Sequence, residues 1–131
     1  MRMRRSAASL AVAAAAMAGV VLAPGVANAS SGGGCVTQGY IEACISASGK
    51  YVEPDFYVLS SIPGCSELGI WVYDDTTNGS ISQSFPGTCT VGHHGPYPLL
   101  GTNGHQYHVL AFSQGTNGMD YAVSKELTFS D

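Results

Sequence analysis

The 131 residues carry five basic and nine acidic side chains, a net charge of −4, and 11% of them are charged. Three of the five basic residues are arginines within the first five positions; beyond them only Lys50 and Lys125 face all nine acids. Two lysines and no arginine against nine acids are too few to neutralise phosphates, so nucleic acid is excluded as a partner, and anionic lipid surfaces repel such a domain.

The chain opens on Arg2, Arg4 and Arg5, followed by an apolar run from Ala7 to Leu22. That run falls short of the about 20 residues a membrane span needs. Pro24 and Gly25 then break it, and Ala27-Asn28-Ala29 supplies a small-x-small cleavage pattern. Together these predict a secretory signal peptide of the bacterial type over residues 1–29, with the mature chain starting at Ser30. Export with no stable membrane association after cleavage is the expected localisation. The exported part sets two lysines against nine carboxylates, a net charge of −7. Residues 30–34 (SSGGG) read as a flexible leader, and 35–131 as one domain.

Within 35–131 no helical period is found, and the apolar residues alternate as in half-buried strands. A short strand is expected around Cys35 to Gln38. Next, Ile41, Ala43, Ile45 and Ala47 share one face, with Glu42, Cys44, Ser46 and Ser48 on the other. Further strands are expected over 55–60, 69–74, 81–85 and 105–114. At the end of the chain, Met119, Tyr121, Val123, Leu127 and Phe129 share one parity. Lys125 interrupts that parity and predicts a bulge or an outward-snorkelling side chain there. Thr-Asn-Gly occurs at 77–79, 102–104 and 116–118, and each copy is expected to reverse the chain between antiparallel strands, because Asn-Gly suits positive φ. Asn78-Gly79-Ser80 is also a glycosylation sequon, but the turn is the expected meaning. About seven strands with such punctuation predict an all-β fold: a small antiparallel β-sandwich of immunoglobulin-like Greek-key architecture. A small closed barrel is the alternative.

Cys35, Cys44, Cys65 and Cys89 all follow the cleavage site, and an even count in an exported chain predicts two disulfides. No C-x-x-C pair is present to begin a zinc site. Cys35 and Cys44 flank Gly39-Tyr40 symmetrically, as a cross-strand pair in a hairpin does. A two-residue turn at Asn78-Gly79 would place Cys89 opposite Leu68, three positions from Cys65. The favoured pairing is therefore Cys35–Cys44 and Cys65–Cys89, contributing about 2.5 and about 3.5 kcal/mol by loop-closure entropy.

In type, the chain resembles the secreted α-amylase inhibitors of filamentous soil bacteria: exported, two disulfides, a small β-sandwich. It departs from them at Trp71-Val72-Tyr73, where their inhibitory triplet is Trp-Arg-Tyr. Antibody-type domains place a Trp about a dozen residues after the first core Cys, whereas Trp71 lies far beyond Cys44. Gly87, not Tyr, stands two residues before Cys89. Tyr107, just after the Asn103-Gly104 turn, is a candidate tyrosine corner.

Among residues able to carry chemistry, His93-His94-Gly95-Pro96-Tyr97-Pro98 is the most unusual stretch, and Tyr97-Pro98 is a candidate cis bond. With His105 and His108 it suggests a metal or hydrolase site. Neighbouring strand residues face opposite ways, however, and neither His-x-His nor a G-x-S-x-G elbow is present. Asp74-Asp75 precedes a turn, where acids are ordinary. No cofactor is implied. Trp71 and Tyr73 share parity opposite Ile70 and Val72, so an inward Ile70/Val72 would make Trp71 and Tyr73 an outward platform for a protein or glycan. The candidate binding residues are Trp71, Tyr73, His94 and Tyr97. The expected function is a secreted, non-catalytic binding module such as an inhibitor or wall-associated factor. The alternatives are a small hydrolase or metal-binding protein using the 93–108 histidines, or a structural envelope protein.

Overall fold

The computed structural model describes residues 29–131; the signal-peptide expectation, apart from Ala29, lies outside them. The fold is all-β, with one 3-10 turn at Asp75–Thr77 among the described residues. The strands are β1 (Ser31–Gly32), β2 (Gly34–Gln38), β3 (Ile41–Ser48), β4 (Tyr51–Val58), β5 (Glu67–Asp74), β6 (Ser80–Pro86), β7 (Gly92–His94), β8 (Leu99–Leu100), β9 (Gln106–Gly115), β10 (Gly118–Val123) and β11 (Leu127–Thr128). They form two antiparallel sheets, not a closed barrel. The first runs β1-β11-β9-β5-β6, with β10 also on β9; the second runs β2-β3-β4-β7, with β8 also on β4.

The chain passes repeatedly between the two sheets. β1 lies against β11, and β2, β3 and β4 then form a meander in the second sheet. Residues 59–66 cross to the β5–β6 hairpin, 87–91 return to β7 and β8, and 101–105 cross again to β9 and β10. The inward faces supply the core: Ile41, Val52, Phe56, Ile70, Val72, Val109 and Phe129 are all fully buried. Each large apolar side chain so enclosed contributes roughly 1.5–3 kcal/mol.

Several expectations are corrected in register. The first and third Thr-Asn-Gly copies do lie in hairpins, but Thr102-Asn103-Gly104 joins β8 in one sheet to β9 in the other. Tyr107 secures that crossover, its phenolic oxygen accepting the Thr102 amide at 3.0 Å. The first copy is not a two-residue turn either. Ser80 pairs with Asp74, and the intervening 3-10 turn is capped by the Asp74 carboxylate accepting from Thr76 N at 3.1 Å. A further register shift lies at Val72/Tyr73, and Gly87 N donates to Leu68 O at 2.8 Å. Cys89 is thereby brought nearer to Cys65 than the two-residue turn implied. Both disulfides, Cys35–Cys44 and Cys65–Cys89, are formed, with Cα–Cα distances of 4.1 and 6.0 Å.

The last segment contains the bulge expected at Lys125, and its effect on the residues before it is the largest correction. Val123 pairs with Leu110 and Leu127 with Tyr107, so three residues on one side oppose two on the other. This one-residue bulge spans Lys125, and it flips the parity of everything before it. Ala122 and Ser124 therefore turn inward with Leu127 and Phe129, while Met119, Tyr121 and Val123 are 41%, 40% and 42% exposed. The Ser124 hydroxyl completes the bulge, accepting from Val109 N and donating to Lys125 O, both at 2.9 Å.

Strands β7 and β8 and the beginning of β4 were not anticipated. Pro54 lies in the interior of β4, opposite Ile45. Its carbonyl accepts Tyr97 N at 2.9 Å. The edge on which the proline lacks a donor therefore faces the break between β7 and β8, where no ladder bond is lost. The cis peptide is Gly95–Pro96, not Tyr97-Pro98.

Candidate binding face

With Ile70 and Val72 fully buried, alternation obliges Trp71 and Tyr73 to point away from the core. The register of the first sheet brings further rings beside them. Trp71 pairs with Leu110 and Leu110 with Val123; Gly69 pairs with Phe112 and Phe112 with Tyr121. Phe112 covers the space a side chain at Gly69 would need: a Cβ there would lie 3.2 Å from its ring. Its centroid is 4.7 Å from that of Trp71. Tyr73 stacks on His108 at 4.7 Å, and the neighbouring Ile81 is 49% exposed. A diagonal stripe Tyr73–Trp71–Phe112–Tyr121 thus crosses β5, β9 and β10, bordered by Leu110, Val123 and Met119.

The outward face of the second sheet has the opposite character. There β4 presents Glu53, Asp55 and Tyr57, and β3 presents Glu42, which accepts from the Thr37 hydroxyl at 2.6 Å. The two outer surfaces therefore differ sharply in polarity. Tyr121 is 40% exposed and Trp71 and Tyr73 partly so, while Phe112 is buried between them; an apolar patch of this kind facing solvent marks an interaction surface.

No family model, curated protein or solved structure matches this chain. What the site can do rests on its own geometry.

The four candidate binding residues separate into two places. Trp71 and Tyr73 belong to the stripe. His94 and Tyr97 lie where β7 and the following loop meet β6, and they close that side of the sandwich. His94 stacks on the fully buried Phe56 at 4.6 Å and its Nε2 lies 2.7 Å from Thr90 O. Tyr97 lies against Phe85 at 4.8 Å. Both rings are thus engaged in packing between the sheets.

The remaining histidines are each held by one aspartate. His93 Nε2 meets Asp55 at 2.6 Å and stacks on Tyr57; His105 Nδ1 meets Asp74 at 2.7 Å; His108 Nδ1 meets Asp75 at 2.6 Å. In each pair the imidazole ties one strand or turn to another: β7 to β4, and the start of β9 to the end of β5. Gln106 N adds a bond to Thr76 Oγ1 at 2.9 Å beside the latter two. Among the described residues, the one group of three His, Cys, Asp or Glu ligand atoms within 4.8 Å is Cys35, Glu42 and Cys44, and its sulfurs are joined in a disulfide.

Phe112, Tyr121, Leu110, Val123 and Met119 were not picked out from the sequence. One signal was available. Val109-Leu110-Ala111-Phe112 is apolar on both parities, as expected of a strand covered on one face and apolar on the other. The exposure of β10 had no comparable signal, because its alternation is equally good for either face.

Proposed function

We propose that the protein is a secreted, non-catalytic binding module that captures an extracellular partner on the outward face of its β6-β5-β9-β10 sheet. The observation that carries this reading is the aromatic stripe Tyr73–Trp71–Phe112–Tyr121, set on adjacent hydrogen-bonded strands. Strand-borne rings are held more rigidly than loop-borne ones, so little conformational entropy is lost on binding. The two disulfides accord with an oxidising, extracellular setting.

An immunoglobulin-like Greek key is the finer reading of the architecture. It is supported by a β3-β4-β7/β8 sheet facing a β6-β5-β9-β10 sheet, with the chain crossing after β4, β6 and β8. It is also supported by the bond from Thr102 N to the Tyr107 hydroxyl at the start of β9, which has the form of a tyrosine corner. Trp71 differs from the buried tryptophan of antibody domains, since here it faces outward.

Trp71 is the sole tryptophan, so its fluorescence reports on this face alone. The test measures acrylamide quenching of Trp71 with and without cell-wall material from the secreting culture, alongside retention of the protein on that material. Binding through the stripe protects Trp71, and Tyr121→Ala weakens retention. Retention of Trp71→Ala and Tyr121→Ala at the wild-type level, with Trp71 of the wild-type protein equally quenched with and without that material, would remove the stripe from the binding site.

A further inference from the structure

Resting on the binding-face reading, we infer that the ligand of the stripe is an uncharged polysaccharide chain. The argument begins with charge. Three sheet-borne carboxylates, Glu42, Glu53 and Asp55, lie on the opposite outer surface, and Asp74 is bound to His105. On the stripe's own face Glu67 stands exposed at the corner beyond Gln114, and Asp75 is paired with His108 beside Tyr73. Lys50 and Lys125, the two lysines, lie on the β3–β4 turn and in the β10–β11 bulge. The centre of this surface, Trp71, Phe112 and Tyr121, carries no charged side chain, so it neither pairs with an anionic polymer nor steers a cationic one.

Size decides against a second copy of the chain. Four strands about 4.8 Å apart, over three two-residue steps, give a face of roughly 15 by 20 Å. Two such faces in contact bury roughly 600–800 Å² in all, against about 1,200–2,000 Å² for a stable pair. Each copy would also carry the same excess of carboxylates to the encounter. A long, narrow ligand has no such requirement, because it needs only the stripe.

The chemistry of the stripe fits such a ligand. A pyranose ring has an apolar C–H face and a rim of hydroxyls, so it stacks on a flat aromatic ring while its edge stays hydrogen-bonded. Trp71 and Tyr121 are two strands and one two-residue step apart, about 12 Å between backbone positions. Two sugars of one chain can therefore rest on the two rings, with Phe112 filling the space beneath. Tyr73 extends the line at the other end. Around the rings stand uncharged hydrogen-bonding groups, Gln114 on β9 and Ser84 on β6, opposite Glu67 and Trp71 respectively. A few polar groups around an apolar platform give orientation without a charge requirement.

The experiment is affinity electrophoresis of the exported chain in native gels containing xylan, hydroxyethylcellulose or glycol chitin, with polygalacturonate as an anionic control. The expected result is retardation by at least one of the three neutral polymers and none by polygalacturonate. Trp71→Ala should lower the apparent association at least tenfold and Tyr121→Ala severalfold. Trp71→Phe, which keeps a smaller ring and guards against a folding defect, should retain part of the binding, and Val36→Ala on the other sheet should leave it unchanged. Equal mobility in all three neutral gels, or retardation indifferent to Trp71→Ala and Tyr121→Ala, overturns the inference. If cell-wall material protects Trp71 from acrylamide and protease treatment of that material abolishes the effect, the partner is a protein: the polysaccharide inference falls and the binding face stands. If Trp71 is never protected, both fall.

Discussion

Replacing Tyr107 with Phe removes a single oxygen, and the structure says what that oxygen does. Tyr107 is 2% exposed, and its hydroxyl accepts the Thr102 amide at 3.0 Å. Its ring also meets Phe129 edge-on at 6.5 Å, a contact Phe would keep. A neutral hydrogen bond contributes about 0.5–1.5 kcal/mol net. Thr102 itself is exposed, so water can take over its amide and no full desolvation penalty is added. The expected loss is therefore about 1 kcal/mol, which lowers the Tm of a domain of this size by about 4–8 °C. Thermal unfolding with the disulfides intact measures the loss, and amide exchange locates it: Thr102 N–H should exchange faster while the β5–β9 ladder keeps its protection. Tyr121→Phe is the matched control, since that hydroxyl is exposed and contacts only Met119 Sδ at 3.3 Å; it should change stability by less than about 0.5 kcal/mol. An unchanged Tm together with unchanged Thr102 exchange in Tyr107→Phe would refute the claim that this bond fixes the crossover between the sheets.

Three other outcomes follow from packing and chain connectivity. Replacing Cys65 and Cys89 by Ser should cost more stability than replacing Cys35 and Cys44, about 3.5 against about 2.5 kcal/mol, because the first pair spans 24 residues and the second 9; urea midpoints of the two double variants give the order. A Cβ at Gly101 would lie 2.4–2.6 Å from the Phe129 ring, so Gly101→Ala should cost about 1–3 kcal/mol. Adding Phe129→Leu should recover part of it, so that the double variant is less destabilised than the sum of the single ones. Ser113 is 1% exposed and its hydroxyl is, among the described residues, the one buried side-chain polar atom without a hydrogen-bond partner. Ser113→Ala should be neutral or stabilise by up to about 1 kcal/mol; a destabilisation above that in thermal unfolding would mean the hydroxyl has a partner.

What the sequence revealed depended on the range of the interaction. The Cys35–Cys44 pair was legible because it is centred on a two-residue turn, where counting alone fixes the partners. Trp71 and Tyr73 were legible up to one binary choice, since Ile70 and Val72 had to take the other face. Cys65–Cys89 was reached through a register that proved wrong: the 3-10 turn at Asp75–Thr77 and the shift at Val72/Tyr73 are too local to appear in an apolar pattern. β7 escaped notice because it has three residues, beginning at Gly92 and followed by Gly95. Pro54 concealed the first half of β4, because a proline is costly in a central strand unless its donor edge faces a gap, and the gap is a tertiary fact. The histidines looked like a cluster because they are close in sequence, yet three of them pair with three different aspartates.

The error at β10 explains the face itself. Met119, Tyr121 and Val123 look like core because they alternate in step with Leu127 and Phe129. An unbroken strand would have to send all five the same way. Turned inward, Tyr121 or Val123 would have to occupy the place where Ala122 now faces Ala111 across the ladder, at 0% and 1% exposure respectively. Turned outward, Phe129 would leave its place over Gly101 and against Tyr107. The bulge at Ser124–Glu126 resolves the conflict with one extra residue, anchored by the Ser124 hydroxyl on Val109 N and Lys125 O. It lets the same segment fill the core at one end and carry Tyr121 onto the outer surface at the other. The outward apolar side of β10 is thus required by a core that has no room for it, and β9 and β5 set Phe112 and Trp71 beside it in register.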